Sequence, residues 1–131
     1  MSGVQDGEAI TKTILLVEDN EANRTLVRDI LTHHGYEVIV AVNGEEGVRL
    51  AGQFLPDMII MDIQMPVMNG YVALAYLKQN PTTQNIKVLA ITSFAMQGDR
   101  ERVMAFGADA YLSKPINTRE LPAVVAGLVG N

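Results

Sequence analysis

TILLVEDNEANRTLVRDILTHHGYEVIVAV, residues 13–42, is the stretch on which the fold turns. Its first run, Thr13–Val17, is mostly apolar and rich in branched side chains, with little internal alternation. That pattern suits a strand of a parallel sheet buried on both faces. Beyond it Asn20 is placed to cap a helix. Ala22, Leu26, Val27, Ile30 and Leu31 recur at helical spacing, and Gly35 is placed to end the helix. A second run of the same kind, EVIVAV at 37–42, follows at once.

The same alternation continues to the C-terminus, with further runs MIIM at 58–61, KVLAI at 87–91 and DAYL at 109–112. Asn43-Gly44 opens a second helix, which stops before Pro56. Tyr71, Leu74, Ala75 and Leu77 mark a third, ended by Asn80-Pro81. Asp99 is placed to cap a fourth, with Val103, Met104 and Phe106 as its apolar side and Gly107 as its stop. A fifth is expected after Asn117, with Glu120 in capping-box position. Pro122 removes a backbone donor just beyond the first turn there, so a late start or a bend is expected. Strand and helix repeated in this way predict an α/β fold: a five-stranded parallel sheet with helices on both faces. Residues 1–11 form a polar tail and residues 12–130 a single domain.

Composition narrows the function. The 131 residues are 48% hydrophobic and 19% charged, as in a compact globular chain long enough for a real core. A net charge of −5 with no basic patch argues against binding nucleic acid through its phosphates. With no cysteine there is neither a disulfide framework nor a thiolate metal site, which fits a reducing cytoplasm. The polar N-terminus has no signal-peptide apolar stretch, and no apolar run approaches the ~20 residues needed to cross a bilayer. A soluble, cytoplasmic protein is expected.

In open parallel sheets the functional crevice lies at the C-terminal ends of the strands. Glu18 and Asp19 follow the first run, Asp62 ends the third, Thr92 the fourth, and Lys114-Pro115 comes just past the fifth. Each has a plain structural reading. An acidic pair can begin a solvated helix, a lone Asp can sit in a turn, Thr92-Ser93 can cap a helix and Lys114 can lie on the surface. Together at one rim they imply more. Two unit charges about 4 Å apart repel by roughly 4 kcal/mol at an effective dielectric of about 20. Three carboxylates therefore want a cation, and an all-oxygen cluster suits Mg²⁺ (or Mn²⁺). A metal beside a carboxylate suits phosphoryl transfer, in which the carboxylate itself can be the nucleophile. Lys114 would pair with the phosphate, and Thr92 would donate a hydrogen bond to it.

VEDNE (17–21), MDIQMPVMNG (61–70), ITS (91–93) and GADAYLSKPI (107–116) together resemble the receiver domains of two-component response regulators, and the likeness spans residues 12–130. It implies a flavodoxin-like sheet of strand order 2-1-3-4-5, shared with the chemotaxis receivers. It also implies transfer of a phosphoryl group from a phosphohistidine, on a histidine kinase or phosphotransfer protein, to Asp62. By the same resemblance Asp19, Asp62 and the main-chain carbonyl of Gln64 hold Mg²⁺, with Glu18 acting less directly, through water. Thr92 and Tyr111 become the switch residues, Lys114 the phosphate-pairing lysine, and Lys114-Pro115 a candidate cis peptide. Such a domain is no enzyme in the ordinary sense: it assists its own phosphorylation and dephosphorylation, and its output is altered binding of a downstream protein.

TSFAMQGDRE (92–101) further resembles the stand-alone receivers of the DivK type, in which this face meets partners; Phe94 and Met96 are the candidate contact residues. A start at Met1 and an end at Asn131 fit a stand-alone protein, the alternative being a module of a larger hybrid kinase or regulator. An aspartate-nucleophile phosphatase is the distant alternative, but such enzymes use an acid two residues after the nucleophile, where this chain has Gln64. A dinucleotide or flavin binder would want glycines, not acids, after the first strand. His33 and His34 suit the end of the first helix. Met58, Met61, Met65 and Met68 suit packing, since Pro66 interrupts their spacing. Tyr111, without the resemblance, reads as a core aromatic with a wet hydroxyl.

Overall fold

The computed structural model describes residues 11–65, 68–92 and 98–130. In chain order the elements are β1 (Thr13–Val17), α1 (Glu21–His33), β2 (Glu37–Ala41), α2 (Gly44–Phe54), β3 (Met58–Asp62), α3 (Gly70–Gln79), β4 (Lys87–Thr92), α4 (Asp99–Ala105), β5 (Ala110–Ser113) and α5 (Glu120–Val129). The strands form one parallel sheet of order β2-β1-β3-β4-β5.

Successive side chains of a strand point to opposite faces, and here both faces are covered. Leu15, Val17, Ile59, Met61, Val88 and Ala90 pack with Ala51, Leu74, Leu77 and Val103 on the side of α2, α3 and α4. Ile14, Leu16, Met58, Ile60, Leu89 and Ile91 pack with Val27, Leu31, Leu121 and Val125 on the side of α1 and α5. A sheet buried on both sides needs apolar residues at odd and even positions alike, which is why the runs lack alternation. Val17 lies opposite Ala41 and Met61, Asp62 opposite Ile91, and Thr92 opposite Ser113. The C-terminal strand ends therefore stand level along one rim.

Asparagine starts three of the helices. Asn20 accepts a hydrogen bond from the backbone N–H of Asn23, Asn43 from Glu46 and Asn69 from Val72, each supplying a partner to a donor the helix leaves unpaired. One expected start shifts, and another comes late, as Pro122 leads one to expect. Asp99 lies inside the first turn of α4, with Gly98 at the cap in the left-handed region (φ 96°). At α5 the Asn117 side chain accepts from the N–H of Arg119 and Glu120, yet the helix proper begins at Glu120. Pro122 is thereby inside the first turn, where a missing N–H breaks no intrahelical bond.

α2 ends on Leu55, a non-glycine residue at φ 48° that is 53% exposed. A branched side chain in the left-handed region costs about 1–2 kcal/mol, part of which glycine regains even after its larger chain entropy. Leu55→Gly is expected to be more stable than wild type by about 0.5–1 kcal/mol in urea unfolding. A lower midpoint would mean that the half-buried leucine contributes more packing than its backbone costs.

Candidate functional site

The rim is built around the loop after β1. The Glu18 N–H donates to the Ala41 carbonyl (3.0 Å), carrying the ladder one residue past the strand and turning the Glu18 side chain inward. Glu18 is buried and Asp19 exposed. Glu18 Oε2 accepts from the Asn20 N–H (3.1 Å), and Arg24 Nη1 donates to the carbonyls of Glu18 (2.9 Å) and Asp19 (3.2 Å), pinning the loop. Asp62, the last residue of β3, is 2% exposed. Its Oδ1 accepts from the Gln64 N–H (3.0 Å) and its Oδ2 from Lys114 Nζ (3.0 Å). The same ammonium lies 3.3 Å from Glu18 Oε1.

Thr92, at the end of β4, is buried. Its carbonyl accepts from the Lys114 N–H (2.8 Å), and its Oγ1 accepts from Gln64 Nε2. Tyr111, on β5 opposite Ala90, is partly buried on the α2–α4 side of the sheet. The Lys114–Pro115 peptide is cis. Phe94 and Met96 lie outside the described residues.

Glycine is required at position 70. A Cβ there would stand 2.6 Å from Ile63 Cα and 2.7 Å from the Asp62 carbonyl oxygen. The start of α3 thus presses directly on the end of β3 and fixes where Asp62 sits. Asn20, read from the sequence as a helix cap, also positions the site by donating its N–H to Glu18, whereas Arg24 and Gly70 are positioning residues that sequence reasoning passed over. The Asn-Gly pair at 69–70 was visible inside the MDIQMPVMNG motif; for Arg24 no local signal exists.

Electrostatically the site is overloaded with acid. Oxygens of Glu18, Asp19 and Asp62 lie within 4.8 Å of one another. Burial, then the neighbouring Asp62 charge, push the Glu18 carboxyl up to about 7, against the pull of the Asn20 N–H and the Lys114 ammonium. Burial alone would lower Lys114, but its hydrogen bond and attraction to Asp62, then Glu18, outweigh that and leave it raised. Clustered hard oxygens holding surplus negative charge fit a small divalent cation better than any softer metal.

This crowding sets a pH dependence. With Glu18 at about 7 in the folded protein and near 4.5 unfolded, the folded state binds more protons between those values. Stability in EDTA is therefore expected to fall as pH rises from about 4.5 to 7, since its slope follows protons bound unfolded minus folded. Urea midpoints across that window measure it, and Glu18→Gln should flatten the curve. A wild-type curve that rises through the window would show that Glu18 is ionised throughout.

Residues 14–126 match the response regulator receiver domain family, and the chain belongs to it. It is 40% identical over 122 residues to the polar-differentiation response regulator DivK of Brucella ovis, covering 93% of this chain and 99% of that protein. Its counterpart in Brucella anthropi is 41% identical over 120 residues, covering 92% and 98%. Among solved structures, the receiver domain of a sensor histidine kinase from Pseudomonas aeruginosa, with a magnesium ion coordinated in its active-site cleft, superposes with a TM-score of 0.86. It is 34% identical, covering 93% of this chain and all of that one. The work of the family is phosphorelay signalling, and its members are signalling modules rather than ordinary enzymes. Among the described residues, no helix is long and apolar enough to cross a membrane.

Proposed function

We propose that Asp62 accepts a phosphoryl group from a phosphohistidine on a histidine kinase or phosphotransfer protein, and that the domain (12–130) then binds a downstream protein differently. The observation that carries this reading is a buried carboxylate at a strand end, joined by two further carboxylates and a lysine. A carboxylate oxygen attacks phosphorus, the phosphorus–nitrogen bond breaks, and the departing imidazole retains or takes up a proton. Asp19, Asp62, the main-chain carbonyl of Gln64 and, less directly, Glu18 would hold Mg²⁺ or Mn²⁺. When bound, the metal neutralises the incoming phosphate oxygens.

The chain's own groups do the rest. Lys114, already 3.0 Å from Asp62 Oδ2, has only to shift to meet a phosphate oxygen. Thr92 supplies a hydroxyl and Tyr111 a ring that can turn. Both then pass the change to a partner-binding surface, for which Phe94 and Met96 are the candidate contact residues. The protein acts in the cytoplasm, through protein contacts and without nucleic acid.

Intact-mass analysis after incubation with acetyl phosphate tests the reading. One phosphoryl group should appear with Mg²⁺ and none with EDTA. Equal uptake in both would remove the metal from the reaction.

A further inference from the structure

We propose that Gln64 is a positioning residue that holds Thr92 in one rotamer before phosphorylation and so sets the cost of switching. This rests on the assignment of Asp62 as the acceptor and Thr92 as a switch residue. Gln64 touches both. Its backbone N–H donates to Asp62 Oδ1 (3.0 Å), and its side-chain amide donates to the Thr92 hydroxyl oxygen across 28 residues of sequence.

The backbone of Thr92 has little room to respond to a new group on Asp62. It pairs with Ser113 in the ladder, its carbonyl accepts from the Lys114 N–H (2.8 Å), and the residue is 1% exposed. What can change is χ1, and a β-branched side chain has few staggered wells to choose from. The Gln64 amide, a donor, selects the well in which Oγ1 faces it. The hydroxyl oxygen acts there as acceptor.

A phosphoryl group on Asp62 brings anionic acceptors, and a hydroxyl bonds to these more strongly than to a neutral amide. Rotating Thr92 toward the phosphate releases the Gln64 amide. The free energy of that bond is subtracted from the switched state, and a neutral hydrogen bond of this kind corresponds to about three- to tenfold in an equilibrium constant. The side chain at position 64 thus sets how readily the domain switches for a given signal.

Beryllofluoride, a tetrahedral stand-in for a phosphoryl group on a carboxylate, tests this with Mg²⁺ present. Gln64→Met keeps the length and removes the donor, so it should bind beryllofluoride about three- to tenfold more tightly than wild type. Three-bond couplings to the Thr92 methyl should report a different balance of χ1 rotamers in the free mutant than in the free wild type, which a purely structural role would not produce. In a Thr92→Val background the Gln64→Met step should alter affinity less than about twofold, because the partner is gone. Unchanged or weaker binding by Gln64→Met, or an unchanged Thr92 rotamer, overturns the role of Gln64 alone. Wild type that fails to bind beryllofluoride, or Asp62→Asn that binds it equally, overturns the acceptor assignment instead.

Discussion

Asp62→Asn is expected to take up no phosphoryl group from acetyl phosphate and Mg²⁺, while keeping its fold. The substitution conserves shape and removes the charge that makes the oxygen a nucleophile; a neutral amide oxygen is no substitute. Geometry favours survival of the fold. Asn can still accept from the Gln64 N–H, and Lys114 retains Glu18 as a partner 3.3 Å away. A second readout follows from the site's electrostatics. Asp62 is one of the groups that push the Glu18 carboxyl up to about 7, so removing its charge should bring the Glu18 titration down toward the ordinary carboxylate range. Intact mass measures the first effect, and carboxyl carbon shifts in NMR titration the second. Uptake at the wild-type rate would move the acceptor elsewhere. Loss of uptake together with a collapsed spectrum would mean that the variant reports folding and not chemistry.

Much of the fold was legible because its physics is local. A strand buried on both faces must be apolar at consecutive positions, and an asparagine before a helix leaves its mark within three residues. What escaped depends on tertiary context. Asp62 and Thr92 are polar, so the apolar runs end before them, yet hydrogen bonding continues through both as the last residues of β3 and β4. Asp109 shows the reverse. It belongs to the DAYL run but stays outside β5, its Oδ2 accepting from the Val88 N–H (2.9 Å). Leu55 in a left-handed cap could not be foreseen, since the residue type argues for any other conformation.

At the site, the positions of the acids could be read from strand ends, but not their division of labour. Glu18 and Asp19 are adjacent in sequence and opposite in setting, buried against exposed. The charge crowding falls on Glu18 because the β1–β2 ladder runs one residue further and turns that side chain inward. Likewise Lys114 was expected to await a phosphate, whereas its ammonium already bridges two carboxylates, one of them 52 residues away. Side-chain pairing over such distances is decided by packing, which no single motif encodes.

That bridge makes Lys114 a stabilising residue as well as the proposed phosphate partner. Its Nζ lies 3.0 Å from Asp62 and 3.3 Å from Glu18, and both carboxylate side chains are at least nine-tenths buried. Lys114→Met keeps most of the apolar stem and deletes the charge, leaving two buried acids to face each other. Breaking a buried pair by removing one partner costs about 3–5 kcal/mol. Here Glu18 has an escape, because it can take up a proton, and loss of the lysine raises its pKa further. The cost should therefore depend on pH: about 2–4 kcal/mol in EDTA at pH 8, and less than half of that near pH 5.5, where Glu18 is protonated in both proteins. Magnesium should reverse the order of responses. A ligand bound only to the folded state adds RT ln(1 + [L]/Kd), and without the competing ammonium the carboxylates should bind the cation more tightly. Millimolar Mg²⁺ is thus expected to stabilise Lys114→Met more than wild type and to close most of the gap. Urea melts of both proteins at the two pH values, with and without Mg²⁺, decide the matter. Equal stabilities at pH 8 in EDTA, or a larger Mg²⁺ response in wild type, would show that the lysine does not act as the resident counter-charge of the acid cluster.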